Sequence, residues 1–202
     1  MIRVGLTGGI AAGKSIAAAR LRELGAYVID HDRLARESVA PGSAGLSAIV
    51  QRFGPGVLAA DGTLDRAALA SIVFGDEAAL TDLNAIVHPR VHDLAAAYEQ
   101  AAAGDGNAGV IVHDIPLLIE TGQAGDFDVL VVVHAPADQR ITRLVENRGM
   151  SLPEARKRVA SQVDDAVRLA DADEVLDGTG QPDNLRAQVD ALWEKLQKRH
   201  EA

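Results

Sequence analysis

The sequence contains no cysteine, so disulfide bonds, thiolate metal sites and a cysteine nucleophile are all excluded. Basic residues are also scarce. Only 20 Lys and Arg stand against 29 Asp and Glu, which gives a formal charge of −9. Contact with a nucleic-acid backbone needs a basic face, so nucleic acid is not expected as a partner. Of the 20 basic residues 16 are arginines, which suit a local pocket for phosphate groups.

Long apolar runs are missing as well. No stretch reaches the ~18 apolar residues of a membrane span, and no apolar signal core precedes the first predicted strand. The sequence therefore predicts a cytoplasmic protein with no membrane partner. Its six histidines are scattered along the chain. With 202 residues, 48% of them hydrophobic, the chain can bury a core as one domain.

A glycine-rich loop near the N-terminus carries the most specific motif. Residues 8–15 fit the pattern G-x-x-x-x-G-K-[ST] of a phosphate-binding loop. They follow the apolar run 2–6, which is typical of a buried strand, and precede the Ala-rich run 16–24, which predicts a helix ending at Gly25. Strand, loop and helix together are the context that this motif requires.

Such a loop binds phosphate because its backbone N–H groups point inward and the helix N-terminus adds partial positive charge. Lys14 is then expected to contact the outer phosphates of a nucleotide, and the Ser15 hydroxyl to bind Mg²⁺. The alternative is a glycine-rich turn with an incidental lysine. The strand on one side and the helix on the other favour the nucleotide site.

A second apolar run, residues 26–29, ends on Asp30, His31 and Asp32. Two strands joined by a helix predict a parallel βαβ unit, in which ligands bind beyond the carboxyl ends of the strands. Asp32 is therefore a candidate for the carboxylate that a kinase places near the transferred phosphate. The alternative is that Asp32 is the N-cap of the next helix.

The character of the sequence changes between residues 41 and 109, where turn signals separate short helical segments. The pattern predicts helices over 44–53, 65–74 and 77–87, then a break at His88-Pro89 and another helix over 90–103, with no strand between residues 32 and 109. We interpret this part as a helical insertion, a common place for an acceptor-binding subdomain.

Apolar strands resume at 110–113 and 129–133, and a short one over 174–177 precedes an amphipathic helix over 183–200. The chain thus predicts an α/β fold with a parallel sheet sandwiched by helices. Asp114 directly follows one of these strands, where phosphate-loop enzymes have a carboxylate linked to Mg²⁺. Alternatively, Asp114 caps the next turn.

Arginines accumulate between residues 138 and 158. Arg140 and Arg143 share one helix face, and Ser151 with Glu154 predicts a capping box at the start of the following helix. One interpretation is a charged, solvated helical hairpin. The other is a mobile lid that covers the phosphates and excludes water, with Arg140 as the first candidate for phosphate contact.

Several segments together resemble the dephospho-CoA kinase family. They are, in chain order, Leu6-Thr7-Gly8-Gly9-Ile10, Gly13-Lys14-Ser15, Val28-Ile29-Asp30-His31-Asp32, Leu34-Ala35-Arg36, His88-Pro89, Asp114-Ile115-Pro116-Leu117-Leu118, Glu120, Gln139-Arg140, Arg148-Gly149-Met150-Ser151 and Gln162. The resemblance covers nearly the whole chain. The combination is much narrower than the phosphate loop alone, which many families share.

The resemblance implies transfer of the γ-phosphoryl group of ATP, with Mg²⁺, to the ribose 3′-hydroxyl of dephospho-CoA. It also implies a five-stranded parallel sheet, with a core of residues 1–31, 108–139 and 170–202. A helical CoA-binding insertion is expected over 32–107 and a helical lid over 140–169. We expect a monomer or a weak homo-oligomer that binds only these small molecules.

The family motifs also imply roles for individual residues. Catalytic roles fall to Lys14, Asp32 and Arg140. ATP is expected to contact Gly8, Gly9, Ile10, Ala11, Ala12, Gly13, Lys14, Ser15, Ile16 and Arg140. The acceptor is expected to contact Thr7, Asp32, His88, Leu117 and Glu120, and Mg²⁺ to be held by Ser15 and Asp114.

The chain departs from the family pattern at a few positions. Ala11, Ala12 and Ile16 replace glycine, serine and threonine of the usual loop, and His31 stands where a small residue is common. A positive φ at Ala11 would cost about 1–2 kcal/mol. Residues 177–180 replace an Asn-containing turn expected near the adenine, so base recognition there is the least constrained part of the resemblance.

Two other functions remain open at this point. The chain could be another small-molecule or nucleoside (monophosphate) kinase on the same scaffold. It could also be a nucleotide-dependent binding module without turnover. A GTPase switch would need an N-K-x-D guanine motif, which the sequence lacks.

Overall fold

A computed structural model describes residues 1–104 and 109–201. The chain divides into two compact units, one of residues 1–30 with 102–202 and one of residues 31–101. The predicted boundary between insertion and core, at residues 107 and 108, lies outside the described residues, as does residue 202.

Strands and helices alternate through most of the first unit. The strands are β1 (Ile2–Gly8), β2 (Tyr27–Asp30), β3 (Val110–Asp114), β4 (Val129–His134) and β5 (Glu174–Asp177). The α-helices of the described residues are α1 (Lys14–Glu23), α2 (His31–Glu37), α3 (Ala44–Phe53), α4 (Arg66–Val73), α5 (Glu77–Gly104), α6 (Ala137–Arg148), α7 (Leu152–Ala160), α8 (Asp165–Ala170) and α9 (Pro182–Glu201).

The five strands form one sheet in the order β2-β3-β1-β4-β5, and every neighbouring pair is parallel. This confirms the predicted five-stranded parallel α/β fold. Strand β4 is apolar on both faces, and each face packs in a different buried cluster. Val131 and Val133 pack in one buried cluster with α1 and α9, whereas Leu130 and Val132 pack in another with Leu118.

Strand register brings the carboxyl ends of four strands to one edge of the sheet. Leu6 of β1 and Asp30 of β2 both pair with Asp114 of β3, and Gly8 pairs with Val133 of β4. The loops that follow these strands therefore begin side by side. This is the edge at which open parallel sheets bind their ligands.

Helices α6, α7 and α8 follow the fourth strand. Gly149 ends α6 with a φ of 64°, a left-handed conformation that glycine adopts without steric cost. Ser151 and Glu154 form the predicted capping box at the start of α7, so that prediction is confirmed. This cap satisfies backbone N–H groups that the first turn of a helix leaves without partners.

The second unit is helical, and its apolar residues form a cluster of their own that includes Ile49, Val57 and Leu69. Its first helix, α2, begins at His31, so Asp32 lies in the first turn. The alternative interpretation of Asp32 as the N-cap of that helix is therefore wrong.

The predicted break at His88-Pro89 is also wrong, because α5 runs through Pro89 without interruption. A proline inside a helix removes one hydrogen bond and costs about 3 kcal/mol. Packing offsets this cost on the N-terminal side, where Ala79 is buried and Leu83 and Ile86 pack in the apolar cluster of the second unit. Beyond the proline, Ala95 is buried.

Searched over residues 1–104 and 109–201, the structure contains no helix that is both long and apolar enough to cross a membrane.

Candidate active site

The loop between β1 and α1 has the curled backbone that its glycines predict. Gly13 has a φ of 116° and Ala11 a φ of 61°, both in the left-handed region. Ala11 therefore carries the cost of about 1–2 kcal/mol that its side chain implies. No side chain caps the N-terminus of α1, and no acidic residue occupies its first turn. The first amides of this helix and its partial positive charge are thus available to an anion.

Close contacts explain the first two glycines of the loop. A Cβ atom on Gly8 would lie 2.5 Å from the carbonyl oxygen of Val133 in the neighbouring strand. A Cβ atom on Gly9 would overlap a terminal nitrogen of Arg140. The loop can follow this path only if both positions lack a side chain.

Lys14 and Asp114 form an ion pair beside this loop. The Lys14 ammonium donates to a carboxylate oxygen of Asp114, and both side chains are mostly buried. Lys14 is the first residue of α1 and Asp114 the last of β3, so the pair joins the loop to the carboxyl edge of the sheet. The structure thus brings together two of the residues that the sequence assigns to the site.

The residues around the loop fit a magnesium ion whose ligands are mostly phosphate and water oxygens. Ser15 is the second residue of α1 and is exposed, and the Asp114 carboxylate belongs to the same edge of the sheet. Among the described residues there is no group of three or more His, Cys, Asp or Glu that could hold a metal by itself. Mg²⁺ in phosphotransferase sites typically takes only one or two protein ligands.

A cavity of about 700 Å³ opens next to the phosphate loop. Its size fits a ligand of nucleotide dimensions. Three segments line it: the loop with the start of α1, the end of α6, and the turn between β5 and α9. The lining residues are Ala11, Gly13, Ser15, Ile16, Arg143, Asn147, Arg148, Gly178, Thr179, Gly180, Gln181, Pro182, Asn184 and Leu185.

Arg140 lies behind the loop rather than on the cavity wall. Its side chain is only 4% exposed. It donates to the carbonyl of Ala135 at 2.9 Å and to both carboxylate oxygens of Asp165 at 2.9 and 3.0 Å. The amide oxygen of Gln162 accepts from Arg140 at 3.3 Å and from the backbone N–H of Ile10 at 2.8 Å. Gln162 therefore connects Arg140 to the phosphate loop.

A second buried arginine, Arg168, extends this network. It donates to Asp165 at 2.7 Å and forms an ion pair with Glu120 at 3.5 Å. The backbone N–H of Val163 also donates to Glu120, at 3.4 Å. The second carboxylate oxygen of Glu120 is buried without a hydrogen-bond partner among the described residues. Glu120 thus ties the segment after β3 to α8.

The remaining predicted residues occupy varied environments. Thr7 is fully buried in β1, and its hydroxyl donates to the carbonyl of Pro116 at 3.4 Å. Leu117, one residue farther along, is exposed. Asp32 and His88 are exposed residues of the second unit, in α2 and α5 respectively. Their roles, like those of the other site residues, stay predictions.

The turn after β5 is held by hydrogen bonds of its own. The side chain and the backbone N–H of Thr179 donate to Asp177, which keeps the pKa of that carboxyl below its usual range. Gln188 of α9 accepts from the N–H of Asp177 at 2.8 Å and donates to its carbonyl at 3.0 Å. One wall of the cavity is thereby fixed without any contribution from a ligand.

Arg143 and Arg148 line the cavity and Gln162 contacts the phosphate loop, but the sequence analysis assigns no individual role to these three residues. The helical spacing places Arg143 on the same face as Arg140. Spacing alone does not show that the Arg140 side chain is buried behind the loop whereas Arg143 lines the cavity. The packing of α6 against the loop determines these two positions. Gln162 carries no local signal except its match to the family pattern.

Comparison with known proteins identifies the family. The sequence profile of the family described as dephospho-CoA kinase matches residues 2–184. A dephospho-CoA kinase of Leifsonia xyli subsp. xyli is 52% identical over 194 residues, which are 96% of this chain and 98% of that protein. One from Streptomyces avermitilis is 49% identical over 196 residues, which are 97% of this chain and 94% of that protein.

A solved structure agrees with these matches. A protein from Thermus thermophilus superposes with a TM-score of 0.81 at 33% sequence identity, covering 96% of this chain and 97% of its own. The profile spans both units and includes the phosphate loop, Asp114 and Arg140. This chain therefore belongs to the dephospho-CoA kinase family.

Proposed function

We propose that this protein transfers the γ-phosphoryl group of ATP to the ribose 3′-hydroxyl of dephospho-CoA, giving coenzyme A and ADP. The observation that carries the proposal is the curled loop with an uncapped α1 N-terminus, beside a cavity of nucleotide size, in a chain of this family. Both substrates are small molecules, and we infer that the reaction takes place in the cytoplasm with a monomer or a weak homo-oligomer.

The loop residues and α1 bind the triphosphate in this proposal. Backbone N–H groups of the loop and the first turn of α1 receive phosphate oxygens, and Lys14 neutralises the charge on the outer phosphates. The phosphates give the ammonium of Lys14 a second anionic partner besides Asp114. Ser15 and Asp114 would hold Mg²⁺, which supplies charge stabilisation at the β- and γ-phosphates.

Asp32 orients the acceptor hydroxyl and takes its proton as the oxygen forms a bond to the γ-phosphorus and the bond to ADP breaks. Little covalent help is needed in phosphoryl transfer, so positioning and charge stabilisation supply most of the acceleration. Asp32 follows the last residue of β2 by two positions, and its carboxylate is exposed. The carboxylate is therefore accessible to a substrate in solution.

Arg140 supports the transferred group through the loop and stabilises the charge that develops on it. Its fixed orientation, set by Ala135, Gln162 and Asp165, is the preorganisation that transition-state stabilisation needs. Residues 140–169 form the proposed lid, and residues 32–107 form the proposed acceptor domain. The proposed acceptor contacts are His88, Thr7, Leu117 and Glu120.

The test is a comparison of acceptors under one set of conditions. Turnover with ATP and Mg²⁺ is measured by coupling ADP release to an optical assay, with dephospho-CoA, adenosine, nucleoside monophosphates and shikimate as acceptors. We expect dephospho-CoA to give a kcat/KM at least 100-fold above every other acceptor. A higher value with another acceptor would establish a different small-molecule kinase, and ATP binding without turnover would establish a binding module.

A further inference from the structure

Arg143 bridges two chain segments that line the cavity. One terminal nitrogen of its guanidinium donates to the carbonyls of Ala11 at 3.1 Å and Ala12 at 3.4 Å. The other donates to the carbonyls of Gly178 at 2.5 Å and Thr179 at 3.4 Å. The first pair belongs to the phosphate loop and the second to the turn between β5 and α9. All four acceptors are therefore backbone groups.

The loop carbonyls bound by Arg143 belong to the strained part of the loop. Ala11 is the one residue other than glycine with a positive φ among the described residues. Alanine bears a steric cost in this left-handed conformation that glycine does not, so the loop needs an external contact to hold it. Arg143 supplies that contact, because its charged donors bind the carbonyl of Ala11 and the carbonyl of the next residue, Ala12.

The second segment, the turn between β5 and α9, lies close to the carbonyl of Ala12. A Cβ atom on Gly178 would overlap the carbonyl oxygen of Ala12, so the two segments approach each other at backbone distance. The planar guanidinium has donors in a fixed fork and can serve both segments at once. A lysine ammonium is a single point charge and cannot reproduce this geometry.

We propose that Arg143 is a positioning residue for the nucleotide. It holds the loop at Ala11 in the conformation that binds phosphate and fixes the distance between that loop and the turn at Gly178. It acts through the backbone of the cavity walls, without a bond to the nucleotide. This inference deepens the proposed function, since it rests on the loop being a nucleotide site, but it does not depend on the identity of the acceptor.

A double-mutant cycle on Arg143 and Ala11 tests the proposal. Calorimetric titration with ADP and Mg²⁺ gives the affinity of the wild type, Arg143→Met, Ala11→Gly and the double variant. We expect Arg143→Met alone to weaken ADP binding about tenfold. Glycine adopts a positive φ without cost, so the same substitution made in the Ala11→Gly protein should weaken binding less than about threefold.

The kinetic readout separates positioning from general destabilisation. With dephospho-CoA as acceptor, Arg143→Met should raise the KM for ATP about tenfold and leave kcat and the KM for dephospho-CoA within about twofold to threefold. Arg186→Met is the matched control, since Arg186 is an exposed arginine of α9 whose nearest carboxylate, Asp183, is 3.9 Å away. Its ADP affinity should equal that of the wild type.

Three results would overturn the proposal. One is an unchanged ADP affinity in Arg143→Met. Another is an equal loss with and without Ala11→Gly, which would indicate a direct bond between Arg143 and the nucleotide. The last is full affinity in Arg143→Lys, because charge alone would then be enough. Arg143→Lys also decides the question if Arg143→Met does not fold, with an expected loss of about fivefold.

Failure of this proposal and failure of the proposed function give different results. If dephospho-CoA is not phosphorylated, ADP titration of the four proteins still measures the coupling between Arg143 and Ala11. If dephospho-CoA is phosphorylated and the cycle shows no coupling, the proposed function stands and the role of Arg143 is refuted.

Discussion

Lys14 is the residue on which phosphate binding depends most directly. Its ammonium is paired with Asp114 at the carboxyl edge of the sheet. A lysine at this position of a phosphate loop lies within reach of the outer phosphates. Removal of its charge would take away the ammonium that lies between the Asp114 carboxylate and the phosphates, and these like charges repel each other.

We predict that Lys14→Ala weakens ATP binding at least tenfold and lowers turnover, because both the attractive charge and the shield on Asp114 are lost. Equilibrium titration with ATP and Mg²⁺ measures the affinity, and the coupled assay measures the rate. Lys198→Ala, on the exposed end of α9, removes one positive charge away from the loop and serves as the control. Wild-type ATP affinity in Lys14→Ala would refute the assignment of the loop.

Asp32 should affect turnover rather than ATP binding. We expect Asp32→Asn to keep ATP affinity within about threefold and to lower kcat by roughly 100-fold or more, since the amide cannot take up the proton of the acceptor hydroxyl. Glu77→Gln, another exposed acid in the second unit, should leave both quantities unchanged. An unimpaired kcat in Asp32→Asn would remove Asp32 from the mechanism.

His113 should make stability depend on pH. It is buried in β3, and burial, with a smaller contribution from the charge of Arg3, lowers its pKa to about 4. An unfolded histidine has a pKa near 6.5, so the unfolded chain takes up a proton in the window between about 6.5 and 4 and the folded chain does not. The unfolded state binds more protons there, and the free energy of unfolding therefore falls as the pH is lowered through this window.

Urea unfolding in the presence of EDTA, at pH 7 and pH 5, measures this effect in the wild type and in His113→Leu. We expect His113 to lower the free energy of unfolding of the wild type by about 2 kcal/mol between pH 7 and pH 5. Below pH 6.5 one such proton changes this free energy by about 1.4 kcal/mol per pH unit. The variant should show a correspondingly smaller fall. Equal pH dependence in the two proteins would contradict a depressed pKa at this position.

At the scale of elements, α5 differs most from what its sequence predicts. A proline disfavours a helical conformation in the residue before it and removes an N–H donor, which is why a break at His88-Pro89 is the natural expectation. Local propensity is a weak constraint when long-range packing opposes it. Apolar side chains before the proline, such as Leu83 and Ile86, pack in the cluster of the second unit, and α5 remains continuous.

We predict that Pro89→Ala raises the free energy of unfolding by about 1–2 kcal/mol, because alanine restores the N–H donor and removes the clash with the preceding turn. Part of the gain is offset by the greater freedom of the unfolded chain. Chemical denaturation monitored by circular dichroism gives the value. His92→Ala, at an exposed position of the same helix, should change stability by less than about 0.5 kcal/mol.

A fall in stability in Pro89→Ala would contradict this account of α5. It would mean that the proline ring itself supplies packing that alanine does not replace. Such a result would assign the continuity of α5 to a local contact of Pro89 instead of the burial of the residues on either side.

At the scale of the whole molecule, the parallel sheet could be predicted because its central strands, β1, β3 and β4, are apolar on both faces. The five runs of β-branched and aliphatic residues, each ending in a glycine loop or a polar residue, indicate buried parallel strands joined by helices. The phosphate loop was equally predictable, since its pattern specifies a local backbone that depends little on the rest of the chain.

The different contacts of Arg140 and Arg143 could not be predicted in the same way. Arg140 and Arg143 are three residues apart on one helix, yet Arg140 is buried against Gly9 and Arg143 bridges the cavity walls. Their roles depend on the position of α6 relative to the loop and on partners such as Asp165 and Gly178. Those partners are distant in sequence, and local spacing holds no information about them.

If the phosphate loop binds ATP for phosphorylation of dephospho-CoA, the γ-phosphoryl group must appear on the ribose of the product. The most direct measurement is mass spectrometry of the product formed from ATP labelled in the γ-phosphate, with tandem fragmentation to locate the added group. We expect one labelled phosphate on the 3′-oxygen of the ribose, formed by the wild type and strongly reduced with Lys14→Ala. A label at another position, or equal labelling with Lys14→Ala, would contradict this expectation.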